Sequence, residues 1–437
     1  MHTDPDSRPL ARSVLSRHSF LTVVVIGIVF VLAILAPAVK AASWEGKEVV
    51  QDGIPHIQNP ATPISEPATL SPKELWRVSG DEDDEFLFGV LSEITCDGDG
   101  NIYLLDSQLS VVMVFSEGGE YLRSIGREGE GPGEFRRATD LFMTPDGNVA
   151  VMQRMPGKIV VLTPDGEPVG ELPVPQPADG GMQMFAGGHL AGDHVVINTN
   201  RFLRHDDGFE VTSTIIAVDP DGNEMAEYFA QSEKNSFANM TFDERTGMAA
   251  LVWSAGSDGR VYTSDVFDKY GFKVWNSDGT LDRVVDREYV ARERSEEEMK
   301  RNAPRIMLRR GNRTETPEVK TSKTDRDIQR FYPRDDGTLW VLSSRGAFDA
   351  PDDVIATFDV FDHGGQFTQQ VTFNGEGDYA DDGFYIVKDR LYVVTDLRSA
   401  RRAMFGGHEE EEDDEDFDEE PMTVICYDLG PIVQTMK

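Results

Sequence analysis

Along residues 91–125 (LSEITCDGDGNIYLLDSQLSVVMVFSEGGEYLRSI) apolar and polar positions alternate in four short runs, at 94–96, 102–105, 111–115 and 121–125. The runs are rich in Val, Ile, Phe and Tyr and too short for helices, so they predict strands. Asp99-Gly100 and Gly118-Gly119 separate the first from the second and the third from the fourth. These dipeptides supply the positive φ angles of tight hairpin turns. A lone four-stranded sheet cannot bury both of its faces, so it needs a copy of itself on each side.

The rest of the chain supplies copies. The third run and its turn recur as IVVLTPDG at 159–166, IIAVDPDG at 215–222, FKVWNSDG at 272–279, FDVFDHGG at 358–365 and a degenerate VICYDLG at 424–430. The first turn recurs at Asp146-Gly147, Gly192-Asp193, Asp258-Gly259 and Asp336-Gly337, and more weakly at Lys388-Asp389. Gly100 and Gly147 stand 47 residues apart, within the ~40–50 residues of one propeller blade. The expected fold is all-β, a six-bladed β-propeller of four-stranded antiparallel blades over 73–437, preceded by an N-terminal hydrophobic helix. Trp76-Arg77-Val78-Ser79-Gly80 precedes the first blade as Leu122-Arg123-Ser124-Ile125-Gly126 precedes the second. Residues 75–78 are therefore expected to complete the last blade and leave no long free edge; residues 432–435 are the competing choice.

The segments DGNIYLLD, VFSEGGEYLRSIG and GREGEGPGEF, all within 91–148, resemble NHL-type repeats. The chain is similar to the exported six-bladed β-propeller proteins of bacteria. That resemblance implies a fold and an extracytoplasmic location, but no particular reaction.

Upstream, residues 1–19 are polar and carry Arg8, Arg12 and Arg17, and residues 20–36 are almost entirely apolar (FLTVVVIGIVFVLAILA). Basic residues before an apolar run keep the N-terminus in the cytoplasm and send the remainder outward. Residues 20–42 are thus a signal peptide, with Ala36-Pro37-Ala38 or Val39-Lys40-Ala41 as the cleavage site, or an uncleaved anchor. Both readings put the propeller in the periplasm or outside the cell. Residues 43–72, rich in Pro, Ser, Thr and Asn without periodicity, are expected to be a linker.

Charge narrows the partners. With 42 Lys and Arg against 78 Asp and Glu, the net charge is −36, so nucleic acid would be repelled. The membrane is met only through the N-terminal segment. Cys96 on an innermost strand and Cys426 on a third strand would lie about two strand spacings, roughly 9–10 Å, apart. That exceeds disulfide reach, so both are expected as free thiols.

In an up-and-down blade, the loop between strands two and three shares one face with the crossover to the next blade. The long segments at 199–213, 343–353 and 397–422, and the crossovers at 230–247 and 287–330, all fall there. Loops on a rigid scaffold carry function, which makes this the expected binding face. The insertion 287–326 is basic (Arg301, Arg305, Arg309, Arg310, Arg313, Lys320, Lys323) and opens with a capping box, Ser295 with Glu298. The loop 408–421 is acidic, every residue from 409 to 420 except Phe417 being Asp or Glu, and is expected to be solvated and disordered. The two are expected to attract one another across the channel mouth in a salt-sensitive way.

No G-x-S-x-G, H-E-x-x-H or Walker-type loop is present. Asp97-x-Asp99-x-Asn101 imitates a Ca²⁺ loop but has Ile102 where Gly is required and Gln108 where Glu is required, so it is read as a hairpin turn. The candidate ligand-binding residues are those just after each second strand: Asp106, Arg154, Asn198, Asp265, Arg345 and Asp396. As a ring at the channel mouth they would hold a polar or zwitterionic ligand or a peptide end; otherwise they make turn hydrogen bonds and surface ion pairs. Trp253 and Tyr332 would supply an aromatic wall or core packing. The expected role is a ligand- or protein-binding scaffold for a protein, peptide or glycan surface, with no cofactor. The alternative is a lactonase-like, metal-dependent hydrolase or lyase holding a divalent cation such as Ca²⁺ in the channel, on ligands from separate blades.

Overall fold

The computed structural model describes residues 43–80, 86–177, 180–237, 241–302, 308–310, 313–315, 318–404 and 421–430. The apolar run 20–36, most of the acidic loop 408–421 and the competing closing segment 432–435 lie outside these residues. Among the described residues no helix is long and apolar enough to cross a membrane.

Six antiparallel sheets follow one another along the chain, and the protein is a six-bladed β-propeller. Blade 1 comprises Leu91–Cys96, Ile102–Asp106, Val111–Phe115 and Tyr121–Ile125. The inner strands of the other blades are Ala138–Met143, Met182–Ala191, Val252–Ala255, Ile328–Pro333 and Gly383–Val387.

The alternation seen in the sequence feeds two neighbours at once. In blade 1, Tyr103, Leu105, Val112 and Val114 pack against Leu141, Val149 and Val151 of blade 2. Leu104, Met113 and Phe115 point the other way, onto Tyr392, Val424 and Cys426 of blade 6. Both faces are buried, so the middle strands read as continuous apolar runs, and a one-residue slip would exchange the two sets. The turns behave as their sequence demands. Asp97 accepts the backbone N–H groups of Asp99 and Asn101 at 2.9 and 2.8 Å, and Gly100 takes φ +89°. The Asp97-x-Asp99-x-Asn101 stretch is thus a hairpin turn.

Closure follows the expected route. Lys73–Ser79 pairs antiparallel with Thr423–Asp428, placing Trp76 opposite Cys426. Cys96 and Cys426 are free thiols.

The expectation of a linker at 43–72 is corrected. Lys47–Gln51 and Ile54–Asn59 form a hairpin, and its second strand runs parallel to Leu281–Arg287, extending blade 4 to six strands. Ala68–Leu70 then adds parallel to Phe367–Asn374 as a fifth strand of blade 5. Pro55 is tolerated because pairing with Leu281–Arg287 begins only at His56, leaving no ladder bond on that side for its missing N–H. Ile57 packs with Val285, Phe361 and Phe367. Asn59, 3% exposed, donates to the Gly365 carbonyl at 2.9 Å and accepts the Phe367 N–H at 2.8 Å and the Trp44 indole N–H at 2.9 Å. The segment straps blades 4 and 5 together.

The expected insertion at 199–213 is instead lengthened strand. His194–Arg204 and Gly208–Val218 stay paired as far as Arg204 and Phe209, in keeping with the Thr and Val content there. Elsewhere the long-loop face carries short helices, Ser344–Phe348 and Leu397–Met404. In the charged insertion the capping box forms, with Ser295 and Glu298 exchanging hydrogen bonds at 2.7 and 3.1 Å at the start of helix Glu296–Asn302.

Candidate functional site

The six second-strand residues do not converge. Asp106 is fully buried and accepts four backbone N–H groups, from Gly89, Val90, Gln108 and Leu109. Asn198 donates across its hairpin to the Thr214 carbonyl at 2.9 Å. Asp265 pairs with Lys273 at 3.2 Å. Arg345 pairs with Asp349 at 3.0 Å and donates to the Val290 carbonyl at 2.7 Å, pinning the charged insertion. Arg154 is exposed on the long-loop face. Asp396 lines a separate cleft of about 660 Å³ with Arg301, Asp378 and Asp382. None of the six lines the central channel. Short side chains at a strand end meet the exposed N–H groups of the following turn first, and Asp106 shows how completely that can engage a carboxylate.

The channel is lined instead by the innermost strands. A cavity of about 550 Å³ takes residues from all six of them, including Glu93, Asp140, His189, Trp253, Arg330 and Tyr385, together with Tyr332. Tyr332 is core packing, buried with Trp340 and Phe358, and Trp253 packs against the cluster of Ala191, Val196 and Val261; both also border the cavity. The polar members share a backbone device. Four inner strands slip register at the same height, between Leu91 and Glu93, Ala138 and Asp140, Phe185 and Gly187, and Ile328 and Arg330. Such a bulge leaves one residue unpaired and re-aims the next; here the next residues are Glu93, Asp140, Gly187 and Arg330.

Glu93 and Arg330 face each other at 3.7 Å, with 18% and 36% of their side chains accessible. The separation exceeds hydrogen-bond length, so the two are in ion-pair contact without a hydrogen bond between them. Arg330 donates to the Phe384 carbonyl at 3.2 Å and lies over the rings of Tyr332 and Tyr385. Asp140 accepts the N–H of Leu141 and of Gly188, both at 2.8 Å. Its carboxyl is nevertheless pushed well above the usual range, first by burial and then by the Glu93 carboxylate. Burial also raises Glu93, against the pull of Arg330. His189 is held down to about 4 by burial and by Arg330, and so is neutral at physiological pH; it meets Trp253 edge-on at 4.8 Å. Gly187 is closely packed: a Cβ there would stand 3.2 Å from Asp140 Oδ2 and 3.4 Å from Trp253 Cζ2. On the long-loop rim, Arg401 donates to the Ser92 carbonyl at 3.3 Å.

One signal for these residues lay in the sequence. Glu93, Asp140 and Arg330 each stand seven residues before the first-turn glycine of their blade, Gly100, Gly147 and Gly337. The donor set does not fit a divalent cation. Among the described residues no three His, Cys, Asp or Glu side chains are grouped to hold one, and the Arg330 guanidinium already faces Glu93.

Residues 82–249 match the family described as 6-bladed beta-propeller, designated DUF5128. No curated protein matches the chain in sequence. Among solved structures, the chain is similar to a putative exported protein from Bacteroides fragilis, with 13% identity, 83% of this chain and 97% of that one covered, and a TM-score of 0.46. A member of the duf4221 family from Bacteroides vulgatus is similar at 11% identity, with 82% and 97% coverage and a TM-score of 0.47. A gluconolactonase from Xanthomonas campestris is similar at 11% identity, with 78% and 87% coverage and a TM-score of 0.38.

Proposed function

We propose that the protein is a binding propeller, carried outside the cytoplasmic membrane by its N-terminal apolar segment, that takes a small polar ligand or peptide end into its channel. One observation carries the reading: bulges in separate blades aim Glu93, Asp140 and Arg330 into one open cavity of about 550 Å³. Cavities of this size with a few convergent polar groups are typical small-molecule sites. A channel that served only to pack the ring would be filled with apolar side chains, because buried charges are costly unless they are used or fully paired. The N-terminal basic segment followed by residues 20–36 supports export, and the acidic balance supports solubility there.

The test is a thermal-shift screen of amino acids, short peptides, sugars and uronic acids against the full chain and Arg330→Leu. The expected result is at least one compound that raises the melting temperature of the natural chain and not of the variant. Stabilisation that is equal in both proteins, or absent for every compound, would refute a channel site.

A further inference from the structure

We infer that the channel recognises a zwitterion, an α-amino acid or a closely spaced equivalent, with its carboxylate on Arg330 and its ammonium between Glu93 and Asp140. This rests on the channel being a binding site, as proposed above.

The argument is one of charge balance in a confined space. Glu93, Asp140, His189 and Arg330 line the cavity together with the phenols of Tyr332 and Tyr385, and Arg401 also draws on Glu93 from the rim. His189 is neutral, which leaves the Arg330 guanidinium, with Arg401 behind Glu93, facing two carboxyl groups on adjacent blades. A simple anion drawn to Arg330 would sit against Glu93, and a simple cation drawn to Glu93 would sit against Arg330. Inside a protein each such mismatch is costly. A molecule bearing both charged groups on one carbon satisfies both walls. The charged groups towards the other end are already engaged, since Lys388 donates to the Asp97 carbonyl at 2.8 Å and Asp335 accepts the Ser257 hydroxyl at 2.6 Å.

Geometry supports the assignment. The Glu93–Arg330 separation of 3.7 Å is too long for a hydrogen bond between them, so each can bond a ligand on the cavity side without breaking one. Arg330 offers a planar fork suited to a carboxylate. Gly187 lets Asp140 and the Trp253 indole close in on the same stretch of wall, where even a Cβ would be crowded, so the ammonium is assigned to the Glu93 side of Asp140, within reach of the indole face. His189, Trp253 and Tyr332 then present apolar surface to the ligand's side chain, which favours an aliphatic or aromatic one.

Isothermal titration calorimetry on the full chain in mild detergent tests this. The probes are L-leucine and L-phenylalanine, N-acetyl-L-leucine (carboxylate only), L-leucine amide (ammonium only) and neutral monosaccharides. Each lost charge-assisted contact should weaken binding by roughly tenfold to a hundredfold. The zwitterions should therefore bind, and both half-charged analogues should bind at least tenfold more weakly. Glu93→Gln, which preserves shape, and Arg330→Leu should each lower affinity for L-leucine at least tenfold. Gly187→Val should abolish it by displacing Asp140 and the Trp253 indole, with a circular-dichroism melt confirming that each variant folds. If N-acetyl-L-leucine or a sugar binds as well as L-leucine and depends on Arg330, the zwitterion assignment is wrong and the channel site stands. If no probe binds and the wider screen yields no Arg330-dependent ligand, both are wrong.

Discussion

Trp76 donates its indole N–H to the main-chain carbonyl of Glu117, 2.9 Å away. The first residue lies on the strand that closes blade 6 and the second in the outer turn of blade 1, so this bond ties the closing strand to the start of the ring. The indole also covers Gly119, where a Cβ would stand 2.6 Å from the ring; with φ +84° that position calls for glycine twice over. Replacing Trp76 with Ala should cost about 2–4 kcal/mol, towards the lower part of the range for deleting a large aromatic because the side chain is half-buried. Trp76→Phe should cost about 1 kcal/mol for the lost hydrogen bond. Urea denaturation followed by circular dichroism measures both, and near-equal costs would show that the hydrogen bond, not the packing, dominates.

Asn59 gives a test of the strap. Asn59→Ala leaves the Phe367 N–H and the Gly365 carbonyl without the partners they have now, and unsatisfied buried groups cost about 1–3 kcal/mol each. A loss of roughly 2–4 kcal/mol is expected, with faster proteolysis around residue 60. A change at 59 in a loose tether would leave both measurements unmoved.

Asp327 is 3% exposed, and one carboxylate oxygen has no hydrogen-bond partner. Burial and the nearby Asp268 carboxylate raise its pKa from 3.8 to about 6, against the pull of Arg345. A raised carboxyl favours the folded state below the unfolded pKa and loses that advantage as pH rises through the folded one. Asp327→Asn should therefore be close to neutral at pH 4 and stabilising at pH 7–8, by up to about 3 kcal/mol. Melting temperatures of both proteins across that range decide it; a gap that is constant with pH would mean the carboxyl is not strained.

Arg294 holds Asp325 at 2.6 Å and Glu244 at 2.8 Å with only 8% of its side chain accessible. Glu244 also accepts the Ser322 N–H, and Thr241–Asp243 pairs parallel with Glu318–Lys320, so two crossovers are fastened together. Breaking a buried ion network by removing one member costs about 3–5 kcal/mol. Arg294→Ala should therefore make 287–326 markedly more sensitive to limited proteolysis. Raising the salt concentration on the natural chain should do much less, because buried pairs are weakly screened.

The ring itself was legible because each blade repeats one local pattern, and local patterns survive in a linear string. The closing strand was legible for the same reason, Trp76-Arg77-Val78-Ser79-Gly80 copying the end of a blade. The strap was not: Lys47–Gln51 is wholly exposed and Ala68–Leu70 spans three residues, too little for alternation to register. The channel residues were harder still, because Glu93, Asp140 and Arg330 meet only after closure. Their common offset from a turn glycine was available, but a bulge that turns a side chain inward leaves no mark of its own on composition. Arg292 and Arg294 illustrate a related loss. They fall inside a run that reads as generically basic, and their partners Asp325, Asp349 and Glu244 are 31–57 positions away.

The N-terminal strap also sets an order of events. Residues 47–79 find their seats only against 281–287, 367–374 and 423–428, so the stretch synthesised early is the last to be docked. Contacts this distant in sequence are slow to form. Until the C-terminal strand arrives, the ring is a gapped arc with exposed lateral edges, and a chaperone that shields such edges would find its natural client in that interval.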